Sequence, residues 1–549
     1  ALLETAIGGL TRRNLNPRDG EALYLLGLVR ERQGAFAEAD ERFARAAWNI
    51  AWAAPSHLAR ARLALRAGRP RDALLLAEQA SSIPEARRLA VLALRALGRD
   101  EEALSALQTL RTLDPLDAAT SALAGVLGLP TDGGPADPRT TLDVAAEFAR
   151  AGAFAEALAA TAAPGAGADA AFGNAEPLRR VLRAAWADAA GDPDAAAAER
   201  AALAPLGLDL AFPAGLDQYD ALTSAVTQGG GAPVLALRGM WLLDAARDDD
   251  ALTDLAAATE GGIADPVAWR NLALAIMRTS RDTERADAAY ARALELSDDG
   301  RLVFERDLLR RLAGTSAAER LALLEAHAPL LDSRDDLALA HVSLLLDADR
   351  VDDAWRILTV RTFRPFEGGE GQVIAAYDRA ACAIARRLIA GGDAARAVEL
   401  LQVGLVAPAN LGEGRHPAVP QAERLVLLGD AFAALGDETA ARRAWEDARA
   451  STPLAVAERP VDESDRFIAL AHVRLGDHAA AAEVWQRLDE RADELERAKD
   501  DVDYFATSLP ELLVFDTDTA AARSVAADAL RAAAADGRSL AREAERMEA

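Results

Sequence analysis

Apolar residues recur along the chain at helical spacing, in pairs of runs joined by a glycine. The stretch "ERLVLLGDAFAALGDETAARRAWEDARASTP" shows the pattern best. Leu425, Leu428, Gly429 and Phe432 fall on one face of a first helix, and Ala441, Trp445 and Ala448 on one face of a second. Gly436 between them predicts a left-handed cap that ends the first helix, and Pro453 closes the unit. The same order of Gly, Ala and a large apolar residue recurs as Gly34/Ala39/Phe43, Gly98/Ala103/Leu107, Gly392/Ala397/Leu401 and Gly476/Ala481/Trp485. Gly68/Ala73, Gly152/Ala157 and Gly191/Ala196 keep the first two positions. Each copy predicts a helical hairpin. The small Ala lets the second helix approach the first, and the large residue fills the groove between neighbouring hairpins.

The pattern is similar to the tetratricopeptide repeat, whose period is about 34 residues. Gly34 and Gly68 stand 34 residues apart, whereas Gly436 and Gly476 stand 40 apart, so the units are degenerate and some connections long. The fold class expected is all-α, a tetratricopeptide-like α-solenoid built as a superhelix of antiparallel helix pairs. Three stretches are expected: N-terminal repeats over 1–125, degenerate helical repeats with Gly/Pro-rich loops over 126–260, and C-terminal repeats with acidic Gly loops over 261–549. "GLPTDGGPADPRT", "APGAGADAAFGNAEP" and "TQGGGAP" are loops by composition. "TAAARSVAADALRAAAADGRSLAREAERMEA" reads as a terminal helix or helix pair polar enough to cap the array.

Composition narrows the functions. Of 549 residues, 51% are hydrophobic but only 5% aromatic, which favours helices packed through small side chains over strands. The net charge of −26, from 87 acidic and 61 basic side chains, repels nucleic acid and anionic lipid, and no basic stripe offsets it. Lys499 is the only lysine; Arg supplies the other cations and orients ion pairs better. Cys382 is the only cysteine, which excludes an intrachain disulfide and a thiolate metal cluster. No apolar run reaches the ~20 residues that span a bilayer, and no signal peptide opens the chain, so a cytoplasmic location is expected. The abrupt start at "ALLETAIGGL" reads as a fragment of a longer protein.

Two acidic, glycine-rich loops interrupt the helical pattern: "FRPFEGGEGQV" (Phe363–Val373) and "PANLGEGRHP" (Pro408–Pro417). With "LTRRNLNPRDGEALYLLGLVRERQGAFAEADERFARAAWNIAWAAP" and "DYFATSLPELLVFDTD" they resemble a family of bacterial tetratricopeptide-repeat proteins. Those proteins carry an N-terminal galactose-mutarotase-like β-sandwich of unknown function. The resemblance covers most of the chain and places it in the helical-repeat region; the β-sandwich has no counterpart in this sequence. It implies a link to carbohydrate metabolism, and carries the family's loop features onto Glu367, Gly368, Gly369, Glu370 and Gly371, and onto Asn410, Leu411, Gly412, Glu413 and Gly414.

"EGGEG" lacks the Lys and Ser/Thr of a phosphate-binding loop, and its carboxylates repel phosphate. Three readings stay open for Glu367, Glu370 and Glu413: caps on the helices that follow sharp turns, docking onto another domain, or a ligand site for sugar hydroxyls or a cation. The first is favoured. Glu367 and Glu413 are the nominal pair for glycoside hydrolysis, but 87 acids make a pair unavoidable, so no catalytic residue is assigned. Arg415 and His416 flank the second loop and join Asn410 as candidate binding residues. Trp48 and Trp52, four apart, are expected on one helix face, packing between hairpins or stacking on a sugar or partner. His341 reads as a core or groove-lining residue and Cys382 as a small buried one. No two histidines stand at metal-ligand spacing on one helix, and no cofactor or metal is expected. The function expected is a scaffold for a protein partner or the chain's own β-sandwich, self-associating as a homodimer. The alternative is the helical part of a carbohydrate-active enzyme, completing a sugar cleft; carbohydrate is therefore a second candidate ligand.

Overall fold

The computed structural model describes residues 1–14, 19–130, 137–162, 173–366, 368–415, 420–451, 461–498, 514–515 and 519–548. Among the described residues the chain is all α, with no strand, and its helices pair through tight turns. The fold is a tetratricopeptide-like helical-repeat fold. The hairpin read from the sequence at Gly436 joins the helix Ala422–Ala434 to Glu438–Arg449. Gly34, Gly68, Gly98, Gly152, Gly191, Gly392, Gly436 and Gly476 all take the left-handed conformation, with φ between +69° and +82°. The Ala that follows each of them is fully buried. In the copies that read Gly-Asp, the aspartate caps the next helix: Asp437 accepts from the amide of Ala440, and Asp477 from that of Ala480. Part of the acid excess is therefore spent on helix ends.

The large residue does something the sequence did not reveal. Phe43 lies against Gly27, on the first helix of its own hairpin, where a Cβ would stand 2.5 Å from the ring. Trp445 lies on Gly429 in the same way, at 2.3 Å from its Nε1. The expected filling of the groove between hairpins is thus the second contact; Phe43 makes it with Ala59 and Leu63 of the next helix. Trp485 differs again and packs against Gly537 of the terminal helix Thr519–Glu548. That helix is single, and seats Ala527, Leu530 and Ala534 on Leu488 and Ala492.

Two units divide the chain, Ala1–Asn271 and Leu272–Ala549. In the first, Arg32 pairs with Asp220, 188 positions later, so this unit curls until its first hairpin meets the helix Gly215–Thr227. Helices continue through the stretch where the repeat signature fades, among them Pro138–Arg150, Glu176–Ala190 and Pro193–Leu203. Buried arginines tie successive helices together. Arg88 forks onto Glu147 at 2.8 and 2.7 Å and reaches Asp117 at 2.8 Å.

In the second unit the same device recurs. Arg306 and Arg310 both fork onto Asp287, at 2.8 to 3.0 Å. Burial pushes the Asp287 carboxyl up, but the two guanidiniums more than offset this and hold it well below the usual carboxylate range. Arg320 forks onto the buried Asp307 at 2.9 and 2.7 Å. Val514 and Phe515 are the only described residues of "DYFATSLPELLVFDTD". Phe515 is buried, edge-on to Tyr290 at 6.4 Å between centroids.

Candidate functional site

The two acidic glycine loops meet in the second unit. The first follows the helix Val351–Val360 and leads into Gln372–Ala390; the second follows Ala394–Val403. Backbone and side chain lock them together. The amide of Phe363 donates to the Asn410 carbonyl at 2.8 Å. The Asn410 side-chain amide donates to the carbonyls of Leu358 and Arg361, at 2.8 and 2.9 Å. Gly412 is required by this contact: its φ is +76°, and a Cβ would stand 2.4 Å from the Phe363 carbonyl oxygen. Phe363 and Leu411 are buried between the loops.

Glu413 does not face an open cleft. Its carboxylate accepts from the amide of Gly371 at 2.7 Å and from that of Ile374 at 3.2 Å. It therefore caps the helix Gln372–Ala390 from a loop some forty residues later, where charge and helix dipole attract. Arg415 forks onto Asp378 of that helix, which also takes Arg424 at 2.5 Å, and reaches the Gly404 carbonyl at 2.9 Å. Glu370 is exposed, while Glu367 and His416 lie outside the described residues.

Trp48 and Trp52 do not share a helix face, which corrects the reading from their spacing. Asn49 accepts from the amide of Ala51 and starts the helix Ile50–Arg66, so Trp48 is left in the preceding turn, 75% exposed. Trp52 packs on Tyr24, with centroids 4.9 Å apart, and its Nε1 donates to Asp19 at 3.3 Å. Both tryptophans belong to the first unit and the loops to the second. Cys382 is buried, and burial pushes its thiol far above its ordinary value, so it holds no thiolate near neutral pH. Among the described residues no cluster of His, Cys, Asp and Glu could hold a metal ion, and no helix is long and apolar enough to cross a membrane.

Beside the first loop lies a cleft of about 790 Å³, which sequence reasoning missed apart from His341. Its walls come from the helices Asp335–Asp347 and Val351–Val360 and from residues 361–364. Arg361 is fully engaged, on Asp335 at 2.8 Å and Asp332 at 2.8 Å. Arg350 pairs with Glu325 and Asp353, and Arg356 pairs with Asp353. His341 has a buried Nε2 with no hydrogen-bond partner. Burial lowers its pKa, so the ring is neutral at pH 7. No motif announces this cleft; its cations come from a helix start, a helix face and a loop, and only the fold gathers them.

No family model matches the chain. Several solved structures are similar to it along most of its length. Yeast Tom70 is 12% identical with a TM-score of 0.23, covering 92% of this chain and 96% of that one. The TPR domain of P58(IPK) is 16% identical with a TM-score of 0.19, covering 79% and 98%. The Cut9–Hcn1 hetero-tetramer of APC/C is 12% identical with a TM-score of 0.25, covering 96% and 99%. At such scores the fold assignment rests on the hairpins themselves.

Proposed function

We propose that this chain is a helical-repeat scaffold whose surface holds a protein partner. The observation that carries the reading is the use made of the loop carboxylate: Glu413 is spent on two backbone amides of a helix start and is not presented to a substrate. Repeat arrays bind through extended surfaces and need no catalytic group. Large apolar side chains stand in the turns between hairpins, Trp48 and Leu116 in the first unit and Val406 in the second, with Ile50 95% exposed beside Trp48. Of these, Trp48 is of the residue type most enriched among interface anchors, and the exposed aliphatic side chains add apolar surface that a partner can bury. A bacterial source, a carbohydrate link, a homodimer and a cytoplasmic location belong to the same proposal at one remove. The scaffold role does not depend on them.

The test is reconstitution of the purified chain with the protein that co-purifies with it in stoichiometric amount. Trp48→Glu and Ile50→Glu, or Val406→Glu, are expected to weaken the complex with no change in melting temperature. A chain that holds no protein but turns over a glycan, and loses that activity in Glu413→Gln while keeping its melting temperature, would overturn the reading.

A further inference from the structure

We propose that the first hairpin is an arm that swings on the helix Ile50–Arg66 and is held closed by an ionic clasp on the helix Gly215–Thr227. The proposal goes beyond the scaffold reading and does not depend on it. Packing is the first argument. The arm, Glu21–Arg32 with Phe36–Ala46, buries its apolar side chains against its neighbours in sequence: Leu23 and Leu26 cluster with Trp52, and Phe43 with Ala59 and Leu63. The main core of this unit runs from Leu58 to Ala268 and takes no residue of the arm. The pivot, by contrast, is fixed. Its Leu58 and Ala61 sit in that core, and its end abuts Gly152, where a Cβ would stand 2.9 Å from the Arg66 Cα. A terminal hairpin that leans on one neighbour is the part of a repeat array that opens most readily.

Charge ties the arm to the far side of the curl. Arg32, the last residue of the arm's first helix, pairs with Asp220 and stands 3.7 Å from Asp217. Arg150, at the end of the helix Pro138–Arg150, reaches the same Asp217 at 3.6 Å, so that acid is shared. The Arg66 guanidinium, 5.0 Å from the Phe36 ring of the arm and 5.7 Å from the Phe154 ring, adds a second charge-based tie. Leu25 and Val29 share the face that carries Arg32 and stay exposed, so apolar packing does not seal the joint. The clasp is also wet: Arg32 and Asp217 are each 34% exposed and Asp220 51%. Pairs this solvated are individually weak and screened by salt, which makes the closure reversible. Asp217 and Asp220 wall a cleft of about 210 Å³ together with Arg66, Arg150, Phe154 and Trp186. The clasp therefore decides whether Asp220 on that wall is neutralised or left anionic.

The experiment is double electron–electron resonance on the full chain, between nitroxides at Ala37→Cys on the arm and Ala198→Cys on the helix Pro193–Leu203, both exposed positions. Cys382 is buried and takes no label. Raising NaCl from about 0.1 M to about 1 M shortens the screening length from about 10 Å to about 3 Å. A long-distance population is expected to grow about threefold or more over that range. Arg32→Glu should show the long population already at low salt, and adding Asp220→Arg should restore most of the short one. The control Arg69→Glu, which breaks only the local exposed pair with Asp72, should leave the distances unchanged. Melting curves of Arg32→Glu that match the parent separate opening from unfolding; if that variant melts early, Asp220→Asn gives the same readout without reversing a charge. The proposal is overturned by distances that neither salt nor these variants move, by a salt response that Arg32→Glu and Asp220→Asn fail to reproduce, or by an equal shift in Arg69→Glu.

Discussion

Asp378 is the hinge pin of the second loop, and its removal gives the sharpest energetic prediction. It accepts from Arg415 and from Arg424, whose side chains are 9% and 2% exposed. Asp378→Asn keeps the shape but leaves two guanidiniums without a counter-charge. Breaking a buried pair costs about 3–5 kcal/mol, because the remaining charge stays desolvated. Asp378 itself is 26% exposed, so water returns part of that, and about 2–4 kcal/mol is expected. The loss should be local to the second unit. Hydrogen exchange of peptides from Gln372–Ala390 and Ala422–Ala434 should quicken about 30- to 1,000-fold, since each factor of ten corresponds to about 1.4 kcal/mol. Replacing the trio together, Asp378→Leu with Arg415→Met and Arg424→Met, should recover most of it. A single-variant change below about 0.5 kcal/mol would show that the trio is solvated and does not hold the loop.

Other sites test the hairpin physics. Gly429→Ala would place a Cβ 2.3 Å from Trp445 Nε1, so it should cost about 1–3 kcal/mol, read by urea unfolding with Trp fluorescence. Ala246 holds φ +54° at a turn where other hairpins use Gly, so Ala246→Gly should raise stability by up to about 1 kcal/mol. The reverse change, Gly436→Ala, should lower it by about 1–2 kcal/mol through backbone strain alone, since open space surrounds the site. Asp287, held below the usual range, contributes stability that is present above the unfolded carboxylate pKa of about 3.9 and is lost as pH falls towards its folded value. Thermal melts of the second unit should therefore drop on acidification below pH 4, and Asp287→Asn should flatten that slope while lowering stability at pH 7.

The hairpins were legible because their signal is local. A left-handed glycine, a small residue and a large one lie within a dozen positions, and all eight glycines singled out do adopt positive φ. Hairpins without that glycine escaped notice. Ala246, Arg281 and Asp349 hold the same left-handed turn, and each is followed at the same offsets by buried partners: Ala251 and Leu255, Ala286 and Tyr290, Ala354 and Leu358. The small and large positions carry the unit even where the turn residue is strained. The site was less legible for the opposite reason. That Glu413 would cap a helix start near Gly371, or that Arg415 and Arg424 would converge on Asp378, depends on which loops the fold brings side by side. The Trp48–Trp52 spacing misled because Asn49, a good N-cap, begins a new helix between them.

The central claim is that the acidic loop residue builds the joint and does not act on a substrate. Glu413→Ala tests it most directly, read by residue-resolved hydrogen exchange at the amides of Gly371 and Ile374. Both should lose protection, with stability falling about 1–2 kcal/mol, as for a lost helix cap, while the partner complex still forms. Unchanged protection at both amides, with any function of the chain abolished, would place Glu413 in a site and contradict the account.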